Sequence, residues 1–222
     1  MFAGHVGAAL ALGRAERRLN VGVLITAALL LDVALWLFVL MGWESVSIPA
    51  DFVRTHQPEF VFPYSHGLSA GVLWSALAGA AGLLAYAQLS RAKWRAAALI
   101  GAAVFSHWLL DALVHRAELP LAGAASPTIG FGLWNAMPIA LAIETAIVVA
   151  GTYLFMRGSS LSRTRSVALA VLSLLLLTFT IVGMTIAPPP PSAIAMAASS
   201  LVTLVLVCAL ACWLGRLPRG RI

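Results

Sequence analysis

The sequence predicts an all-α polytopic membrane protein: six transmembrane helices preceded by a short N-terminal helix, re-entrant or interfacial. Three observations predict it. Hydrophobic residues make up 61% of the 222 and charged residues only 10%, with a mean hydropathy of +0.96, far from the balance of a water-soluble domain. Six apolar runs each reach the ~20 residues that cross a bilayer: about 20–42, 64–89, 96–115, 130–156, 166–187 and 192–214. The basic residues, finally, fall on alternate connections. The chain 1–222 reads as a single membrane domain.

Taken in order, Arg14, Arg17 and Arg18 precede the first span, and Arg91, Lys93 and Arg95 separate the second from the third. Arg157, Arg163 and Arg165 lie between the fourth and fifth, and Arg216, Arg219 and Arg221 follow the sixth. Only Arg54 and Arg116 fall on the other side, among Glu44, Asp51, Glu59 and Glu118. By the positive-inside rule both termini are expected in the cytoplasm. The net charge of +6 is thus a topology signal, and no nucleic acid is expected as a partner. Trp43 and Trp134 fall at outer ends of spans and Trp94 and Trp213 at inner ends, as interfacial anchors would. In the second span, "GLSAG" with Ala78, Gly79 and Gly82 suits close helix packing. Cys208 and Cys212, four apart in one apolar run, read as small buried hydrophobes.

The first 13 residues, "MFAGHVGAALALG", are too short to span, and their arginines follow rather than precede them, unlike a secretory signal peptide. If the segment folds back into the membrane from Arg17, His5 rises about 18 Å and Asp32, on the first span, about 22 Å at 1.5 Å per residue. The two then share a depth. A re-entrant helix is tolerable only where protein buries it.

Ionisable groups inside a bilayer are costly and need partners. In "SHWLLDALVH", His107, Asp111 and His115 recur at steps of four and so share one helix face. His66 opens the second span and Asp32 lies just past the middle of the first, towards the same outer side. Asn135 opens the fourth span from that side, as a helix-end hydrogen-bonder, and Glu144 lies near its middle. Imidazoles and carboxylates converging at one depth are a ligand set for a divalent metal, with zinc the default. Asp32, His66, His107 and Asp111 are the expected ligands, joined by His5 if the N-terminal helix is re-entrant. Glu144 and His115 are the candidates for moving protons. The outer loop, about 43–63, is long enough to act as a lid, and its Glu44, Asp51, His56 and Glu59 are expected to be solvated. Ser65 beside His66 hints only faintly at nucleophilic chemistry.

The ordered set "GHVGAAL", "LLLDVALW", "YSHGLSAG" and "SHWLLDALVHRAELPL" resembles the bacterial inner-membrane metal-dependent hydrolases. That family carries an early His, a D-x-D-H motif, an H-R-G-x-T-H-S block and a helix with S-H-x-x-x-D. The matching positions are His5, Asp32, His66, His107 and Asp111, and the resemblance covers about residues 1–125; residues 126–222 match only as three further hydrophobic helices. Where the family has D-x-D-H this chain reads "DVAL", and where it has H-R-G-x-T-H it reads "EFVFPYSH". Two histidines, an Asp and an anion-binding Arg are therefore missing, and His115 stands outside the family pattern.

The resemblance implies a multi-pass protein of the bacterial inner membrane that uses a metal-activated water on an ester or phosphoester. A site in the outer half opening between helices suits a membrane lipid or lipid-linked substrate. The alternative is a non-catalytic subunit of a larger membrane complex, with a membrane-protein partner or a second copy of itself, in which the cluster holds a structural metal or is a polar core. Two further rivals are haem ligation by His66 and His107, which Asp111 one turn away disfavours, and proton transport through Asp32, His107 and Glu144.

Overall fold

The computed structural model describes residues 1–216; Arg219 and Arg221, assigned above to the last basic connection, lie outside the described residues. Helix α1 (Phe2–Gly13) is followed by α2 (Val21–Ala28) and α3 (Leu30–Leu40). These last two form one apolar path bent by 46° at Leu29. The loop after α3 is a small ribbon, β1 (Ser45–Ser47) antiparallel to β2 (Glu59–Val61), with the single turn α4 (Phe52–Thr55) between them. Helices α5 (Leu68–Ala85) and α6 (Ala92–Val114) come next. A second ribbon, β3 (Leu119–Pro120) with β4 (Thr128–Ile129), leads to α7 (Met137–Gly158), α8 (Arg163–Thr185) and α9 (Ala193–Leu214).

Five of these helices are long and apolar enough to cross a membrane, and the bent α2–α3 pair makes a sixth span. Even α5, the shortest with 18 residues, reaches about 27 Å, close to the ~30 Å hydrocarbon core. Leu73, Leu84, Leu175, Phe179 and Leu206 on their outward faces are more than half exposed, as lipid-facing side chains are. The protein is an all-α, multi-pass membrane protein.

Helix α1 lies inside the bundle, packed against α2, α6, α7 and α8. Seven of its 12 residues are buried, His5 to 1% exposure. Protein rather than lipid surrounds it, the condition under which a half-length helix is tolerated at membrane depth. Glycine makes the fit possible. The Gly7 backbone rests on that of Ile147 and Val148 of α7, where an added Cβ would come within 2.8 Å, and Gly151 faces the Gly7 carbonyl more closely still. Between α5 and α6 the expected close packing is present: Gly71 meets Trp108, Gly79 meets the Ala97 carbonyl and Gly101 meets that of Ser75.

Caps set the remaining junctions. Asn20 accepts the Gly22 N–H at 2.9 Å, starting α2, and donates to the Cys212 carbonyl at 2.9 Å, tying α2 to α9. Ser162 and Ser192 accept from Arg165 N–H and Ala195 N–H to open α8 and α9. The proline run 188–191 thus forms a short connector ending in a cap. Trp43, Trp94 and Trp213 are exposed at helix ends as expected; Trp134 instead packs on His115, with ring centroids 4.2 Å apart.

The α1–α7 contact gives a direct check. Gly151→Ala has no room beside the Gly7 carbonyl, and forced overpacking costs about 1–3 kcal/mol. It should lower the unfolding temperature in detergent, whereas Gly183→Ala, whose Cβ meets nothing within 4 Å, should not.

Candidate metal centre

The site is built outward from α6. His107 and Asp111 stand one turn apart on its inward face, exposed to 0% and 2%. His115 follows the last helical residue. Its N–H still donates to the Asp111 carbonyl, at 2.9 Å, so the third step of the stripe is kept although its own backbone is extended.

Asp111 divides its two oxygens between two neighbourhoods. Oδ1 faces α1, accepting from the N-terminal ammonium of Met1 at 3.1 Å with Nε2 of His5 at 3.2 Å. Oδ2 faces the imidazoles: Nε2 of His107 at 3.1 Å, of His66 at 3.4 Å and of His115 at 3.9 Å. The His5 ring stacks on His107, centroids 3.7 Å apart and planes within 9°. The re-entrant helix thus delivers its histidine to the centre of the cluster, at the depth of Asp32.

Hydrogen bonds on the far side of each ring fix which nitrogen is bare. Nδ1 of His107 lies 2.6 Å from the carbonyl of Ala28. A carbonyl only accepts, so Nδ1 carries the proton. The Leu29 bend supplies this acceptor, a side chain entering the helical ladder being a recognised cause of a kink. Nδ1 of His115 donates in the same way to Oε1 of Glu118 at 2.7 Å. For His66 the acceptor is Ser65 Oγ at 2.8 Å, because the single hydroxyl proton is already given to Oε2 of Glu44 at 2.7 Å. Glu44 is itself held by the N–H groups of Tyr64 and Ser65, both donating to Oε1 at 2.8 Å. In their neutral form all three imidazoles therefore present Nε2 lone pairs inward. Such an oriented ring, with a carbonyl or carboxylate behind it, is the arrangement of metal-ligating histidines.

Two of those lone pairs meet head on. Nε2 of His66 and Nε2 of His107 are 3.1 Å apart, and with both Nδ1 protons spent, the contact calls for a shared cation, a proton or a metal ion. Asp32 Oδ1 lies 3.7 Å from the first and 3.6 Å from the second. A tetrahedral zinc with bonds of 2.0–2.1 Å has ligand–ligand edges of about 3.3–3.4 Å, and the distances here bracket that value. Two carboxylates also balance the charge of a divalent ion. His66, His107 and Asp111 can hold a metal, and so can His5, Asp32 and His107, each set offering atoms within 4.8 Å of one another. Nδ1 of His5 is buried without a hydrogen-bond partner, one more unspent donor atom beside the cluster. Asp32 sits in the first turn of α3, where the positive end of the helix dipole favours a carboxylate; its side chain, 21% exposed, faces open space.

That space is a cavity of about 540 Å³, lined at one end by Asp32, His66, Asp111, His115 and Glu144. Glu144 accepts the Gly4 N–H at 2.9 Å, holding the first turn of α1. All seven predicted site residues thus converge: His5, Asp32, His66, His107 and Asp111 at the centre, Glu144 and His115 on the cavity wall. Asn135, in contrast, is exposed on the turn before α7 and does not reach them.

Two expectations for the outer loop are corrected. Glu44 is not solvated: at 4% exposure it anchors the Ser65–His66 pair. His56 is 9% exposed and lines the cavity, held by a left-handed backbone at φ 51° and packed near Phe52. Asp51 and Glu59 are exposed as expected. Glu118 and Trp134, read from the sequence only as an outer-side charge and an interfacial anchor, both touch His115; the three-residue spacing of Glu118 from His115 was the available signal for the first.

No protein-family model, curated protein or solved structure matches the chain. The site therefore rests on its own geometry.

Ser65→Ala removes the acceptor behind His66. With nothing to hold the Nδ1 proton, the ring should populate the Nε2–H tautomer, seen as exchanged ¹⁵N chemical shifts of one histidine in selectively labelled protein. Glu44→Gln, which still accepts but no longer carries charge, should produce a smaller shift of the same sign.

Proposed function

We propose that the protein is a metal-dependent hydrolase of the bacterial inner membrane, acting on an ester or phosphoester from the outer half of the bilayer. The observation that carries this reading is the pair of bare Nε2 atoms of His66 and His107, 3.1 Å apart, beside the carboxylates of Asp32 and Asp111. That donor set suits zinc among the common divalent ions. The likeness of "LLLDVALW", "YSHGLSAG" and "SHWLLDALVH" to the inner-membrane hydrolases supports it, and His115 offers a replacement for family residues this chain lacks. The orientation, with both termini in the cytoplasm, is supported by the basic connections, which lie at the bundle end opposite the site.

His66, His107, Asp32 and Asp111 would hold the ion, with His5 completing or supporting the shell. A bound divalent ion supplies Lewis acidity and a nucleophilic water at neutral pH. The net reaction adds water across the scissile C–O or P–O bond, giving an acid and an alcohol. His115 would move the protons this requires: it lines the cavity and Glu118 grips its Nδ1, which supports the oriented-base arrangement of general acid–base catalysis. Glu144, across the same cavity, is the second candidate. The bonds behind each ring keep the lone pairs aimed inward, so little reorganisation is left for the reaction itself.

The first measurement is metal content by plasma mass spectrometry, with a visible spectrum, on detergent-purified protein and on His107→Ala. About one zinc or manganese per chain, lost in the variant and without a Soret band, is expected. His115→Ala should keep the metal and lose hydrolysis of a nitrophenyl ester or phosphoester by roughly 10²–10⁴-fold. Metal-free protein after chelator-free purification would overturn the reading and leave the cluster a structural polar core.

A further inference from the structure

The cavity continues past the His/Asp cluster, and the remainder of it is apolar. Its far wall is formed by α8 and α9, with Gly183, Met184, Met196 and Leu204 lining it and Phe179 at its edge. Hydroxyl groups also lie there, but three of the four are spent. Thr180 donates to the Leu176 carbonyl at 3.0 Å, Ser199 to Ala195 at 2.8 Å and Thr203 to Ser199 at 2.9 Å, each bonding back along its own helix. What those three present to the cavity is carbon, and Ser200 adds a single hydroxyl to an otherwise apolar wall. The space therefore runs from charged to hydrocarbon along its length.

Its opening faces lipid. Phe179 lines the cavity and yet is 59% exposed, so the rim lies on the membrane-facing side of α8. On the loop side the cavity is roofed by α4 and the β2 ribbon, whose Phe52 and Phe62 are buried to 6% and 1% exposure. A water-soluble substrate would meet that roof, whereas a molecule already in the bilayer meets the gap between α8 and α9.

We propose that this gap is an acyl-chain site and that the substrate class is a bilayer lipid, its chain between α8 and α9 and its polar linkage at the His/Asp cluster. The substrate half of the proposal rests on the hydrolytic reading; the chain site rests on the cavity alone. A partner helix does not fit. A helix ~10 Å across with a 5.4 Å pitch occupies about 420 Å³ per turn, so 540 Å³ would take little more than one turn. The volume instead falls among small-molecule sites, about 300–1,000 Å³.

Gly183 allows a clean test. It lines the cavity in the last turns of α8, and a Cβ there meets nothing within 4 Å, so Gly183→Trp fills the gap without a backbone clash. Ser200→Phe blocks it from α9 should the first variant fold poorly. The protein is reconstituted in vesicles of phosphatidylcholine and phosphatidylglycerol containing a phosphatidylcholine with a photoreactive diazirine in one acyl chain. Crosslinks are mapped by peptide mass spectrometry, and metal content is measured on the same samples. The expected result is labelling of Met184, Met196 or Leu204, lost in Gly183→Trp or Ser200→Phe while the metal content is unchanged. Label confined to outward residues such as Leu175 and Leu206, and the same in the variants, overturns the chain site. Inward labelling without hydrolysis of the vesicle lipids overturns the lipid substrate and leaves the chain site standing. Absence of metal from every sample tells against the hydrolytic reading separately.

Discussion

The burial of the Asp111 carboxylate is the constraint around which the rest of the structure is arranged. An ionised group at membrane depth costs several kcal/mol unless it is met by partners, and here α1, the start of α5 and α6 itself send them. Helix α1 supplies an ammonium and an imidazole to one oxygen, and the bare Nε2 atoms of His107, His66 and His115 turn towards the other, which they meet through the cation they share. That requirement explains why a helix too short to cross the membrane is drawn into the bundle, and why glycine stands where α1 and α7 touch. Replace Asp111 by an apolar residue and α1 loses its electrostatic reason to be inside, though it keeps its apolar contacts.

The site's outer layer follows the same logic at one remove. Each imidazole is aimed by something that is not itself at the centre: the Ala28 carbonyl at a helix bend, the Glu118 carboxylate, and the Glu44 carboxylate acting through Ser65. These acceptors come from three different kinds of local structure. What they share is that none can donate, or has already donated its only proton, so the ring proton is assigned without ambiguity. The aromatic packing around them, Phe62 on His66 and Trp134 on His115, removes water that would compete for those bonds and strengthens them in a low local dielectric.

How much of this could be read from the chain depended on the kind of signal. The spans were legible because length and apolarity are local properties, and the six runs correspond to five long helices and one bent pair. The central residues were legible because steps of four on α6 and simple rise arithmetic for His5 and Asp32 put independent groups at one depth. Glu44 was not. It lies in a polar loop, its burial is created by a ribbon and a turn folding over the site, and nothing in its neighbours' pattern announces that. The Leu29 bend was equally hidden, since no Pro or Gly marks it, and the cavity between α8 and α9 depends on how two uniformly apolar helices diverge. Pairing across the fold, rather than periodicity along it, decides such features.

The seating of α1 has a consequence for how the chain is made. Its first residues leave the ribosome well before α7, yet α7 provides both the glycine surface and the Glu144 oxygen that receive it. Until the fourth span has been inserted, the N-terminal helix can rest on α2 and α6 but lacks the α7 surface and the Glu144 acceptor that complete its seat. Final seating of α1 is therefore a late event in membrane insertion, and the order of synthesis obliges this segment to wait for a later one.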